Sequence, residues 1–188
     1  MSADVDCEAI AKELRDWSAY ALEVERPEFN GLPACPYAKA AWRDNKVRIV
    51  FKDTADDYSL LYTHLSNWDD EKELVVVADT AFIDEPEEFH EFVDELNERI
   101  ADNVFKNKDM WVMGFHPYDE ANELVDDGTF DGETDTAYAL FFVQRLSKLE
   151  EASAKLKPLG YYDQFDPELA EIYAVRNSFY RRLKNARS

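Results

Sequence analysis

Cys35 stands directly before Pro36 and a run of helix formers, Tyr37-Ala38-Lys39-Ala40-Ala41-Trp42. Proline suits the first position of a helix, so this spacing predicts Cys35 at an N-cap, where unsatisfied backbone N–H groups and the positive end of the helix dipole favour a thiolate. Lys39, one turn on, would add positive charge and lower the thiol pKa further. Phe115-His116-Pro117 supplies the natural partner. A histidine at a strand end can meet a helix N-terminus at one edge of an α/β sheet, and there His116 would activate Cys35 as a nucleophile while Asp119 or Glu120 orients the imidazole. Cys35, His116 and Lys39 are therefore the candidate catalytic residues, and Asp119 and Glu120 candidate ligand-binding residues. The competing account is structural: cysteine is among the most buried residue types, and a histidine at a strand end often caps local backbone.

Other chemistry is poorly served. His64, His90 and His116 are the only histidines, and no pair has zinc-site spacing. His90 lies among Glu87, Glu88 and Glu91, which reads as a solvated helix face. Asp119, Glu120, Asp126, Asp127, Asp131 and Asp135 form a carboxylate-rich stretch, but Asp127-Gly128-Thr129-Phe130-Asp131 lacks the alternating oxygen ligands and closing Glu of a calcium loop. No metal site and no cofactor are assigned. A phosphate-cradling glycine loop and a Gly-x-Ser-x-Gly elbow are both absent.

The elements that would position these residues follow from periodicity. Asp4 to about Val24 reads as an amphipathic helix with Cys7, Ile10, Leu14 and Trp17 on its packing stripe, ended by the turn formers of Glu25–Pro33. A short helix from Pro36 to about Asp44 precedes a strand at Lys46–Lys52. A helix starting near Asp53 or Thr54 carries Tyr58, Leu61, Leu65 and Trp68 inward, and Glu73–Asp79 is an apolar run suited to a strand covered on both faces. The next helix runs from Pro86 to about Phe105, with Phe89, Phe92, Val93, Leu96, Ile100 and Val104 inward. Met110–Pro117 is the third strand, Tyr118 to Asp135 an acidic loop, and Ala137–Arg145 the fourth strand. Ser147-Lys148-Leu149-Glu150 has capping-box spacing and predicts a helix to about Lys157. A last helix, Pro167 to about Asn185, places Leu169, Ile172, Phe179 and Leu183 on one face.

Two strand–helix–strand crossovers favour a parallel core of three strands, with the fourth antiparallel at an edge. The expected fold is thus α/β or α+β, a single domain with a mixed sheet of about four strands and helices packed around it. Its parts are an N-terminal helix at 4–24, an α/β core at 33–145 and C-terminal helices at 147–187.

With 188 residues and 46% hydrophobic content, the chain can bury one substantial core and does not demand two. Its formal charge of −20 argues against direct binding to nucleic acid or anionic membranes, which require a basic surface. The N-terminus lacks the pattern of a secretory signal, no apolar run spans a bilayer, and two separated cysteines suit a reducing compartment, so a cytoplasmic location is expected.

Cys35-Pro36-Tyr37-Ala38-Lys39 resembles the glutaredoxin active-site segment with its second cysteine replaced by alanine. The Val-Pro turn and Gly-Gly pair of glutaredoxins have no counterpart here, so that resemblance is disfavoured. A broader one joins Cys35, Pro36, Ala38 and Lys39, then Phe115, His116 and Pro117, then Arg176 and Asn177. In this order the chain is similar to a bacterial domain-of-unknown-function family of about this length, and the resemblance adds Arg176 and Asn177 to the ligand-binding candidates. Gly132–Tyr138 departs from that family's Pro- and Asn-rich segment, and the resemblance supplies no activity. The expected function is a small cytoplasmic protein with a ligand or thiol-dependent site around Cys35 and His116, acting on a small molecule. The alternatives are a noncatalytic acidic protein that binds a basic protein, and a nucleic-acid mimic.

Overall fold

A computed structural model describes residues 6–106, 108–119, 130, 132, 134–165 and 167–186, with backbone alone at 168 and 169. Glu120, Asp126, Asp127 and Asp131 of the acidic loop lie outside the described residues. In chain order come α1 (Cys7–Trp17), β1 (Glu25–Arg26), β2 (Leu32–Pro33), α2 (Ala38–Arg43), β3 (Val47–Lys52), α3 (Ser59–Ser66) and β4 (Leu74–Asp79). Then follow α4 (Pro86–Ala101), β5 (Met110–Phe115), β6 (Ala139–Arg145), α5 (Leu146–Leu156) and α6 (Pro167–Ala186). No helix among the described residues is long and apolar enough to cross a membrane.

The four-stranded mixed sheet has the order β3-β4-β6-β5. β3 and β4 are parallel, with Lys52 opposite Asp79, and β6 is antiparallel to both its neighbours. β3, β4 and β5 therefore run in the same direction, as expected, but they are not contiguous: the fourth strand, expected at an edge, is inserted between the second and third. The side chains explain the insertion. Ala139, Phe141 and Val143 are fully buried on one face and Phe142 is buried on the other, so both faces of β6 require cover that an edge position gives poorly. β5 takes the edge instead, and Pro117 follows it.

One sheet face is sealed by Leu61 and Leu65 of α3 and by Phe89, Val93, Leu96 and Ile100 of α4, packed on Val75, Val77, Val112, Phe141 and Val143. The opposite face is covered by Ile10 and Leu14 of α1 against Val76, Ala78 and Phe142. β4 therefore alternates into two cores, as its apolar run implies. At Gly114 the backbone passes so close to α4 that a Cβ would lie 2.6 Å from Phe89.

Several boundaries differ from expectation for local reasons. Asp6 caps α1 through a 3.0 Å bond from the Ala9 N–H, and the helix widens into a π turn at Ser18–Leu22, where the buried Ser18 hydroxyl accepts the Trp42 indole N–H at 2.9 Å. α3 begins at Ser59, whose N–H is taken by Asp57. α4 stops at Ala101, which leaves Val104 exposed rather than inward. Ile172, also expected inward, is exposed, while Leu183 is buried.

The capping box at Ser147 does not form. α5 starts one residue earlier, and Asp109 supplies the acceptors, its carbonyl taking the Leu146 N–H at 2.7 Å and its carboxylate the Ser147 N–H at 3.2 Å. Before β6, the buried Glu13 carboxylate of α1 accepts the Thr134 N–H at 2.9 Å and the Tyr138 hydroxyl at 2.5 Å. Those bonds tie the chain entering the central strand to the first helix.

Candidate functional site

Cys35 lies outside α2, two residues before that helix's N-cap, Tyr37. The displacement has a local cause: the Cys35 N–H donates to the Leu22 carbonyl at 3.0 Å and the Cys35 carbonyl accepts the Ala38 N–H, so the residue is part of a turn. Burial pushes the thiol pKa up; the Tyr37 and Ala38 amides pull it down less strongly, and the Glu23 charge adds to the rise. That direction is opposite to the depression expected of an N-cap thiol. Lys39 is exposed and is not among the groups that act on the thiol. Cys35 instead lies within electrostatic reach of Tyr161 and Tyr173, beside the small core in which Phe29 stacks on Tyr161 at 5.2 Å.

His116 is buried in a different neighbourhood, against Phe82 and Phe89 at ring-centroid distances of 5.1 and 5.4 Å. Its Nε2 lies 2.9 Å from the Ile83 carbonyl and its Nδ1 accepts the Tyr118 N–H at 3.3 Å. That network assigns the proton to Nε2 and commits both ring nitrogens to backbone. Asp119 does not orient the imidazole as expected. It takes the His116 backbone N–H at 2.7 Å and, through its other oxygen, bonds His90 at 2.8 Å. His90 is thus engaged rather than simply solvated. Among the described residues, the neighbours of Cys35 and those of His116 have no residue in common.

Two concave regions enclose the other candidates. The first, about 520 Å³, lies between the start of α4 and the turn after β5 and is lined by Glu87, His90, Glu91, Asp94, Tyr118 and Asp119. Arg99 pairs with Glu95, and Arg182 with Glu98 and Asp102, so the C-terminal half of α4 is compensated. Among the described residues, Glu87, Glu91 and Asp94 have no ion pair, and the sequence contains no Lys or Arg between Lys72 and Arg99.

The second, about 470 Å³, lies between α5 and α6. Here Arg176 is buried, and its Nε donates to Glu150 at 3.0 Å, its Nη2 to Ser153 at 2.5 Å. Asn177 donates to the other Glu150 oxygen at 2.6 Å. Arg176 and Asn177 are therefore joined to each other through one carboxylate, and Glu150 serves as their anchor instead of closing a capping box.

Sequence reasoning missed a buried polar cluster at the C-terminal ends of the two parallel strands. Lys52 donates to Asp79 at 2.9 Å and to the Ala81 carbonyl at 3.0 Å, while its ammonium stands 4.6 Å from the Tyr58 ring centre. Asp79 Oδ1 also accepts the Ala81 N–H, but Oδ2 is sealed without a partner. Burial raises the Asp79 pKa against the opposing pull of Lys52, and burial with the nearby Asp79 charge pushes the Tyr58 hydroxyl up to about 12. The signal was present in the sequence, since each of two neighbouring apolar strand runs ends on a charge of opposite sign. Among the described residues, no group of His, Cys, Asp and Glu is arranged to hold a metal. Comparison with family models, curated proteins and solved structures finds no match to this chain.

Proposed function

We propose that this protein is a noncatalytic binding protein whose acidic face holds a Lys- and Arg-rich segment of another protein. The observation that carries the proposal is the uncompensated carboxylate group of Glu87, Glu91 and Asp94 in the concave region beside Tyr118, which is 62% exposed. The helix dipole accounts for acidic residues in the first turn of α4, Glu87 and Glu88, but it fades before Asp94. Carboxylates at helical spacings of three and four residues repel each other by a few tenths of a kcal/mol per pair. A basic segment laid along them relieves that repulsion, and an exposed tyrosine gives it an apolar surface with a polar tip. The alternative of a thiol enzyme loses support because the surroundings of the half-buried Cys35 raise its pKa and His116 is committed to backbone elsewhere.

The test is titration of a fluorescent Lys- and Arg-rich peptide, followed by anisotropy at low and high salt. Glu87→Gln/Glu91→Gln/Asp94→Asn should weaken binding by about tenfold or more. Glu8→Gln/Glu25→Gln/Glu28→Gln, three exposed carboxylates in the N-terminal segment whose α1 covers the opposite sheet face, removes the same number of charges and should change affinity little. Equal weakening by the two variants would reduce the effect to nonspecific attraction and refute the proposal.

A further inference from the structure

From the cleft between α5 and α6, we infer a second binding site, which takes a small planar carboxylate and seats its flat face on an aromatic wall. The wall consists of Tyr162, Phe165 and Tyr173, whose ring centroids lie 4.9 to 5.4 Å apart. Such rings offer apolar contact area that does not rearrange on binding.

The polar group that fixes orientation is Arg176. Its guanidinium stands 4.6 Å from the Tyr173 ring centre and is held from behind by Glu150 and Ser153. Those bonds use Nε and one Nη2 hydrogen. Nη1 has no hydrogen-bond partner among the described residues and is not sealed from solvent, so the Nη1 side of the fork is open where Arg176 lines the cleft. A guanidinium with a fixed plane and free parallel N–H groups matches a carboxylate in two bonds.

Charge selects the ligand class. Arg176 and Lys157 line the cleft with Glu150 as the opposing carboxylate, which leaves one excess positive charge in a chain whose formal net charge is −20. One excess charge suits a monoanion, and a second ligand charge would meet no partner while being repelled by the remainder of the molecule. The anchor is itself held: Asn177 fills the second Glu150 oxygen at 2.6 Å, so the carboxylate that fixes the guanidinium is occupied from two sides.

The experiment uses benzoate as probe and benzyl alcohol as its uncharged analogue, read by saturation-transfer and amide-shift NMR on the whole chain. Benzoate should produce saturable shifts confined to the α5–α6 region and bind about tenfold more tightly than benzyl alcohol. Arg176→Lys keeps the charge, loses the fork and should reduce benzoate affinity by about tenfold. Because Arg176 also ties two helices together, Ala174→Trp provides a second route: Ala174 is exposed on α6 and lines the cleft, so the indole fills the space without disturbing a core. Binding should be abolished in that variant while its melting curve stays that of the parent. Benzoate binding no tighter than benzyl alcohol, shifts spread over the surface, or unchanged binding in Ala174→Trp would overturn the site and leave Arg176–Glu150 as a strut between helices.

Discussion

Replacing Lys52 by methionine should be among the most damaging single changes in this protein, and its cost should depend on pH. Methionine approximates the length of the lysine stem, so little volume is lost; what disappears is the charge opposite Asp79. Asp79 is 0% exposed, its Oδ2 has no partner, and after the substitution only the 3.0 Å bond from the Ala81 N–H remains on Oδ1. Removing one partner of a buried pair costs about 3–5 kcal/mol, because an uncompensated charge is left in a poorly polarisable interior.

The carboxylate can escape by binding a proton. Burial already raises its folded pKa above the unfolded value with Lys52 in place. Between those two values the folded state binds more protons than the unfolded chain, so this group makes stability fall as pH rises and restores it as pH falls through the folded pKa. The variant, lacking the opposing ammonium, should have a still higher Asp79 pKa. Its deficit relative to the parent should therefore be largest near neutrality and shrink toward about pH 5. Referring each measurement to the parent at the same pH cancels the general relief of repulsion in this acidic chain. Urea unfolding followed by tryptophan fluorescence provides the measurement, with Lys52→Met/Asp79→Leu as the closing variant, expected within about 1–2 kcal/mol of the parent. A Lys52→Met deficit below about 1 kcal/mol at neutral pH, or one that is constant with pH, would refute the account of the pair.

Two further outcomes follow from local geometry. On a Cys7→Ser background, the midpoint of Cys35 alkylation should lie above the ordinary thiol value of roughly 8.5 and should not move in Lys39→Ala; a midpoint below that value would restore the activated-thiol hypothesis. Gly114→Ala should destabilise by about 1–3 kcal/mol, because its Cβ would meet the buried side chains of Phe89 and Val93 at 2.6 and 2.8 Å. Shaving the obstacle in Gly114→Ala/Val93→Ala should make the combined loss smaller than the sum of the two single losses in urea unfolding, and simple additivity would show that no clash exists.

Periodicity made most of the scaffold legible. The β4 run Leu74–Asp79 pointed to cover on both faces, and the α4 stripe identified Phe89, Val93, Leu96 and Ile100 because a single helical period decides them. Sheet order was not legible, since pairing is a competition among strands and the both-faced apolarity of β6 matters only once its rivals for the central position are known. The partners of the candidate site residues were not legible for a related reason. Cys35-Pro36 resembles a helix start locally, but the bond to Leu22 is set by a segment the motif does not contain. His116 looked reactive from its residue type, whereas the carbonyl that occupies it belongs to Ile83 across the fold. Glu150 was read as a local cap, and its partners Arg176 and Asn177 come from the last helix. Each miss substitutes a distant partner for a nearby one.

The position of β6 also governs how the chain matures during synthesis. When Phe115 leaves the ribosome, β3 and β4 can already pair, but β5 has nowhere to dock, because the strand that joins it to β4 has not yet been made. One apolar border of β4 stays unpaired until Ala139–Arg145 emerges, and a nascent chain interrupted before that point carries two strand borders in search of a partner. The sheet closes from its centre and late, so the tie from Glu13 to Thr134 and Tyr138 acquires a temporal role: it lets a segment made earlier hold the approach to the strand that completes the sheet.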